Sequence, residues 1–309
     1  MYRIMLIAVC ALLVSCTQTS TAPIRIGINP WPGYEFLYLA QEVGIYKKLG
    51  LNVKLIEFGA LEDVIQGFKR GNVDITCTTL AEVAYMYKSG DTDLRAFIFP
   101  DYSNGSDMIL AHAGIRNVDD LSNKRIGVEP GTISHVVLQL AAQRATRPTM
   151  WQATVIEDSQ DNLLRRFKAK ELDAITTYPP FAIEARKIKG AHMVFDSAMA
   201  PGLIIDAISA RATFLNERAK EIGLLKQAWQ EAVTYYYTHP DEALAIMAAR
   251  ERLAVDEFKN ALSGIKILNL AEQQQLYREG TVHKAMAATL NIVYKGDSPP
   301  PNDCCMVSP

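Results

Sequence analysis

"LNVKLIEFGALEDVIQGFKRGNVDITCTT" spans residues 51–79, and "WQATVIEDSQDNLLRRFKAKELDAITTYP" spans residues 151–179. The two stretches follow one plan. Each opens on an alternating strand pattern ending in Ile-Glu, crosses a polar turn, and enters an amphipathic helix ending in Phe-Lys. Each then closes through Val-Asp-Ile or Leu-Asp-Ala into a strand ending in threonines. Phe68, Asp74 and Thr78 recur as Phe167, Asp173 and Thr177, at a constant offset of 99. Strands joined through a helix of this length run parallel, with a right-handed crossover. Two copies predict an α/β protein with two lobes of similar build.

Working outward, a first βα unit at Ile24–Gly44 precedes the first copy, and a strand at Arg125–Val128 precedes the second. Lobe one is expected over residues 24–107 and lobe two over 108–197. The run at 193–195 returns the chain towards lobe one, which the helical stretches at 215–237, 240–250 and 271–294 complete as residues 198–295. Pro240 followed by Asp241 and Glu242 is a good helix start. A lobe inserted into another through two or three crossings is a hinged clamp, its hinge placed near Asp107 and Asp196.

The ends bound the setting. Arg3, an apolar run from Ile4 to Val14 and then Ser15-Cys16 have the build of a signal peptide, too short to span a bilayer comfortably. Residues 1–15 are read as that signal, 16–23 as a polar tether and 296–309 as a disordered tail. The formal net charge is −2, with lysine and arginine dispersed, so nothing points to nucleic acid. Cys77 fits an apolar strand, and Cys304-Cys305 lie in the tail, to which no function is assigned. His112, His135, His192, His239 and His283 are scattered, so neither a metal site nor a cofactor is expected.

In open α/β sheets ligands gather beyond the carboxyl ends of the strands, where helix N-termini also point. Four segments have that position. In "INPWPGYEFLYLA" (28–40) a stiff turn carries Trp31 and Tyr34, which either grip a ligand or fold onto the core. Thr78 ends the first repeat and is the better contact there, because Thr79 and Glu82 form a capping box. Thr132 and Ser134, with the amides after Gly131, either cap their helix or hold an oxyanion, and His135 follows them. Tyr178 ends the second repeat, facing the opening loop. "DYSNGSD" (101–107) supplies Ser103 and Asp107 beside the hinge, or is a solvated turn. Asp206 sits in an apolar strand, where a carboxylate needs a protein donor or a cationic part of a ligand.

Together these segments resemble the periplasmic substrate-binding proteins of nitrate, sulfonate and taurine ABC importers, a superfamily that includes thiamin pyrimidine-precursor binders. The likeness runs from Ile24 to Tyr294, through "GINPWPGYEFLYLAQEVGIYKKLGLNVKL", "DYSNGSDMILA", "DDLSNKRIGVEPGTISH" and "HPDEALAIMA". It implies a type II-like two-lobe fold with ligand in the inter-lobe cleft, and Trp31 and Tyr34 lining it. Leu13-Val14-Ser15-Cys16 similarly resembles a lipobox, implying lipidation of Cys16 and anchorage to a membrane facing the periplasm or cell surface. The expected function is capture of a small organic molecule, anionic or zwitterionic, by a monomer that presents it to an ABC permease. The anionic group is expected at Gly131–Ser134. A membrane sensor protein is the alternative partner. A third reading, a thiamin-pyrimidine-synthase-like enzyme, lacks that enzyme's cysteine-rich motif here. No catalytic residues are assigned.

Overall fold

The computed structural model describes residues 22–309. The signal peptide and Cys16 lie outside them. The first sheet is built from β1 (Ile24–Ile28), β2 (Val53–Glu57), β3 (Ile75–Thr79), β4 (Leu94–Ile98) and a strand returning late in the chain, Asp206–Arg211. Its helices are α1 (Glu35–Glu42), α2 (Ile45–Lys48), α3 (Leu61–Lys69) and α4 (Leu80–Lys88). A short strand β5 (Asp101–Ser103) leads into the second sheet. That sheet holds β6 (Met108–Ala111), β7 (Arg125–Val128), β8 (Thr154–Glu157), β9 (Ala174–Thr177) and β10 (His192–Asp196), with α5 (Ile133–Ala142), α6 (Gln160–Lys168) and α7 (Phe181–Arg186) between them. The returning strand is β11. The remainder is α8 (Ala212–Glu217), α9 (Ala219–Thr238), α10 (Pro240–Arg250), α11 (Val255–Ser263), β12 (Ile265–Ile267), α12 (Leu270–Arg278) and α13 (Thr281–Val293).

Strand order is β2-β1-β3-β11-β4 in one sheet and β10-β6-β9-β7-β8 in the other. β1 runs parallel to β2 and β3, and β7 parallel to β8 and β9, as the two repeats require. β11 enters the first sheet antiparallel, and β6 enters the second the same way. The expected α/β architecture with two sheets is therefore present.

The repeated aspartate has a structural role in both copies. Asp74 accepts the Arg25 backbone amide at 2.9 Å and its guanidinium, while its own amide donates to the Arg25 carbonyl at 2.8 Å. Asp173 treats Arg125 identically, accepting its amide at 2.8 Å and donating to its carbonyl at 2.9 Å. Each clip fixes where the returning strand meets the first strand of its sheet. Arg125 holds the Asp173 carboxyl below its ordinary pKa by hydrogen bonding.

A glycine follows each arginine by two residues, where neighbouring side chains press closest on the strand. A Cβ on Gly127 would stand 2.7 Å from Leu163 and 2.8 Å from Leu172 side-chain carbons, and one on Gly27 about 3.1 Å from Val73. Gly127→Ala is expected to cost about 1–3 kcal/mol by overpacking, and Gly27→Ala less. Urea unfolding of both variants checks the ranking, and an unchanged midpoint for Gly127→Ala would refute it.

The late helices cover the first sheet's side of the molecule. α9 and α10 pack on α1, and α13 packs on α4. The stretch 271–294, read as one helix, is two, because Gly280 adopts φ +78° and breaks the run between α12 and α13. The disordered tail expected over 296–309 is also corrected. Cys305 and Met306 are buried, the Ala96 amide donates to the Cys305 carbonyl at 2.8 Å, and the Val307 amide to the Ala96 carbonyl at 2.9 Å. β4 is otherwise an edge with unpaired backbone groups, and the tail satisfies them. Cys304 and Cys305 are joined as a vicinal disulfide, and Cys77 is a buried free thiol within β3. Among the described residues no helix is long and apolar enough to cross a membrane.

Candidate functional site

A cavity lies between the two sheets at the carboxyl ends of their parallel strands. The loop after β1 supplies Asn29, Trp31 and Tyr34, and the end of β3 supplies Thr79. Asp206 comes from the start of antiparallel β11, Asp107 from the crossing into β6, and Tyr178 from the end of β9. Leu61 and Ile133, at the starts of α3 and α5, close it. The space among these side chains, including the part open to solvent, is about 260 Å³.

Of the residues singled out in the sequence, Trp31, Tyr34, Asp107, Tyr178 and Asp206 meet at this cavity. Trp31 and Tyr178, from opposite sheets, approach edge to face with centroids 6.3 Å apart. Both rings and Tyr34 are almost fully buried and also belong to the main core, so the loop grips and packs at once. The Tyr34 hydroxyl donates to the Thr78 carbonyl at 2.6 Å, and the Tyr178 hydroxyl to Glu129 at 3.0 Å.

The other five stand elsewhere. Antiparallel register sets Thr79 opposite Asp206 and Thr78 opposite Ala207. Directly opposite residues share a face, so Thr79 joins Asp206 at the cavity and the Thr78 side chain does not. Ser103 is buried beside the crossing between the sheets, its hydroxyl 2.7 Å from that of Ser197 and accepting the Asp107 amide at 3.1 Å. The Ser197 amide donates to the Asp107 carbonyl at 2.8 Å, so the two crossings are tied side by side. Thr132 caps α5, donating to the Glu129 carbonyl at 2.9 Å and accepting the Ser134 amide at 3.3 Å. Ser134 accepts from Gln160, and His135 turns outward to Glu157 at 3.0 Å.

The helix start read as an anion slot is already occupied by a carboxyl of the protein itself. The capping box of α4 is present as expected, with Glu82 accepting the Thr79 amide at 2.7 Å. Its other oxygen accepts the Ile133 amide at the N-terminus of α5, across the cleft. Glu129 makes the reciprocal contact, accepting the Glu62 amide at the start of α3 at 3.3 Å. Each side of the cleft thus lends a buried carboxyl to a helix start of the other. Glu129 had a sequence signal, a carboxylate between a strand end and a helix start in "GVEPGT", but its partner is distant in sequence.

Asp101, which sequence reasoning missed, lies directly behind the lining. A Cβ on Gly33 would come within 2.1 Å of its carboxylate and 2.7 Å of the Trp31 indole nitrogen, so only glycine fits there. Asp206 and the Trp31 N–H lie against this carboxyl and partly lower its pKa. Neither bonds it in good geometry: both Asp101 oxygens, Oδ2 of Asp206 and Nε1 of Trp31 are buried without partners. Burial pushes Asp101 up to about 7, Asp107 to about 6, and Glu82 and Glu129 to about 7. Asp206 rises well above its ordinary value through burial and then the charges of Asp101 and Asp107. Among the described residues, no lysine, arginine or histidine lines the cavity.

A family model described as NMT1/THI5 like matches residues 31–243, from Trp31 through the hinge into α10. The chain belongs to the NMT1/THI5-like family. Within its relatives, a Brucella abortus protein with the provisional name of a binding protein is 23% identical over 275 residues, covering 88% of this chain and 85% of its own. Among solved structures, a Candida albicans gene product with the generic periplasmic binding protein fold superposes with a TM-score of 0.75 at 14% identity, over 93% of this chain and 96% of its own. The alkanesulfonate-binding protein SsuA from Xanthomonas axonopodis, bound to MOPS, gives 0.68 at 16% identity over 84% and 94%. SsuA from Escherichia coli gives 0.65 at 18% over 84% and 93%. This member of the family therefore has the periplasmic binding protein fold.

Proposed function

We propose that this chain is the solute-capturing component of an ABC importer, working outside the cytoplasm and closing its lobes over one small organic molecule. One observation carries the reading: two aromatic rings from opposite sheets converge on a cavity where polar atoms of Asn29, Trp31 and Asp206 are buried and unpartnered. Such atoms are costly unless a ligand satisfies them. The likeness to alkanesulfonate-binding proteins supports the transport role. On this reading the site binds and releases without chemistry. Closure pivots on the crossings tied by Ser103 and Ser197, and the ligand holds the closed state by binding it better than the open one. The closed face then meets the permease, with Cys16 anchoring a monomer to the membrane.

The test is a thermal-shift screen of purified protein followed by calorimetry on each hit. Trp31→Ala is expected to weaken binding about thirtyfold, the loss typical of a buried aromatic anchor near 2 kcal/mol. His135→Ala should leave affinity unchanged, because its ring faces Glu157 outside the cavity. Hits insensitive to Trp31→Ala, or no hit at all, would overturn the reading.

A further inference from the structure

The inference here rests on the binding reading above and names the charge of the ligand. We infer that the cleft takes an organic cation, a protonated amine or amidinium, with its charge against Asp206 and Asp107 and its body against the paired rings of Trp31 and Tyr178. Asp206 is 1% exposed, lines the cavity, and leaves Oδ2 without a hydrogen bond. Asp107 lines the same space, and Asp101 stands behind it with both oxygens unpartnered. A buried carboxylate must find a proton or a counter-charge. Among the described residues no basic side chain at the cavity provides one.

An anionic ligand meets the opposite situation. The α5 helix start that would have held it is taken by the Glu82 carboxyl. A sulfonate in this cavity would lie beside Asp107 and Asp206, whose ionised forms repel it and whose acceptor oxygens offer it no donor. The walls favour an organic ion over a metal: among the described residues no group of three or more His, Cys, Asp or Glu side chains is placed to hold one. Aromatic faces attract a desolvated cation.

The groups facing the charge are Asp101, Asp107 and Asp206, with Glu82 close enough to act on Asp206 and the Tyr34 and Tyr178 hydroxyls held neutral by burial. A cation favours the ionised carboxylates, so its binding releases protons. Affinity for a permanently charged cation therefore rises with pH, as Asp107 and Asp101 pass through about 6 and 7.

Three defined mixtures test this by thermal shift on the purified protein: protonated amines and amidines, neutral alcohols and amides, and sulfonates with carboxylates. The first is expected to stabilise the protein most. For its best component, calorimetry should show affinity rising about tenfold or more between about pH 5 and pH 8, with net proton release. Asp206→Asn should weaken binding about a hundredfold, and Asp107→Asn should flatten the pH dependence while also weakening binding. If the sulfonates and carboxylates win, and their effect is lost in Trp31→Ala, the cation assignment falls while the binding reading stands. If no mixture acts through Trp31, both fall.

Discussion

Arg250→Met is expected to destabilise the protein by about 3–5 kcal/mol, with a melting temperature lower by roughly 10 °C. The guanidinium ties α10 to the cleft loop. It donates to Glu35 at 2.5 and 2.6 Å and to Glu57 at 2.9 Å, and lies over the Tyr38 ring at 3.7 Å. Glu35 is fully buried and directly follows Tyr34. Burial is the largest influence on Glu35 and pushes its carboxyl up, Arg250 opposes it, and neighbouring Glu251 adds to the rise. Removing the guanidinium leaves that pair of carboxyls with no counter-charge, which costs more than the ion pair itself contributes. The double variant Arg250→Met with Glu35→Gln should recover part of the loss. Because the Trp31 backbone amide acts on the Glu251 carboxyl, lowering its pKa, ligand affinity should fall along with stability. A cost below about 1 kcal/mol would show the pair to be dispensable.

Ligand-free protein is expected to lose stability as pH rises from about 5 to about 8. The sign follows from the direction of the shifts. Glu82, Glu129, Asp101 and Asp107 all have folded pKa values above their ordinary ones, with burial the largest cause. Such groups contribute stability that is complete below their unfolded pKa near 4 and is lost as pH climbs through 6 to 7. Glu82 alone, raised from 4.5 to about 7, accounts for roughly 3 kcal/mol of the slope. Aspartates such as Asp173 are shifted the other way and act only at more acidic pH. Chemical denaturation across this range checks the profile, and Glu82→Gln should flatten it by about the Glu82 share. A stability that rises over this window, or a slope untouched by Glu82→Gln, would be incompatible with carboxyls closing the cleft in protonated form. Since Glu82 and Glu129 each bridge the cleft, the same titration sets how readily empty lobes close.

Much of the candidate site was legible because it sits on local pattern. Trp31, Tyr34 and Tyr178 stand on loops at strand ends, and Asp206 is a carboxylate in an apolar strand, so each was visible within a few residues of chain. Thr78 and Thr79 were exchanged because side-chain facing follows from the β3–β11 register, and no short stretch contains that register. His135 looked chemical beside Thr132 and Ser134, yet one further step around the helix points it outward. The tail misled for a similar reason: its polar, proline-rich composition reads as disorder, while β4 offers it an edge to pair with.

The sequence by itself determined two sheets from a doubled strand–helix–strand unit, the lobe-one helices, and the aromatic loops at the cleft. Those features depend on periodicity and turn chemistry, which act between near neighbours. Tertiary structure decided the charge of the cleft. Glu82 reaches the Ile133 amide across 51 positions, and Asp101 meets Asp206 only because β11 returns from the far side of the second sheet. Whether a helix start is free to hold a ligand's anion depends on which carboxyl the closed lobes bring against it, and that is a property of their packing.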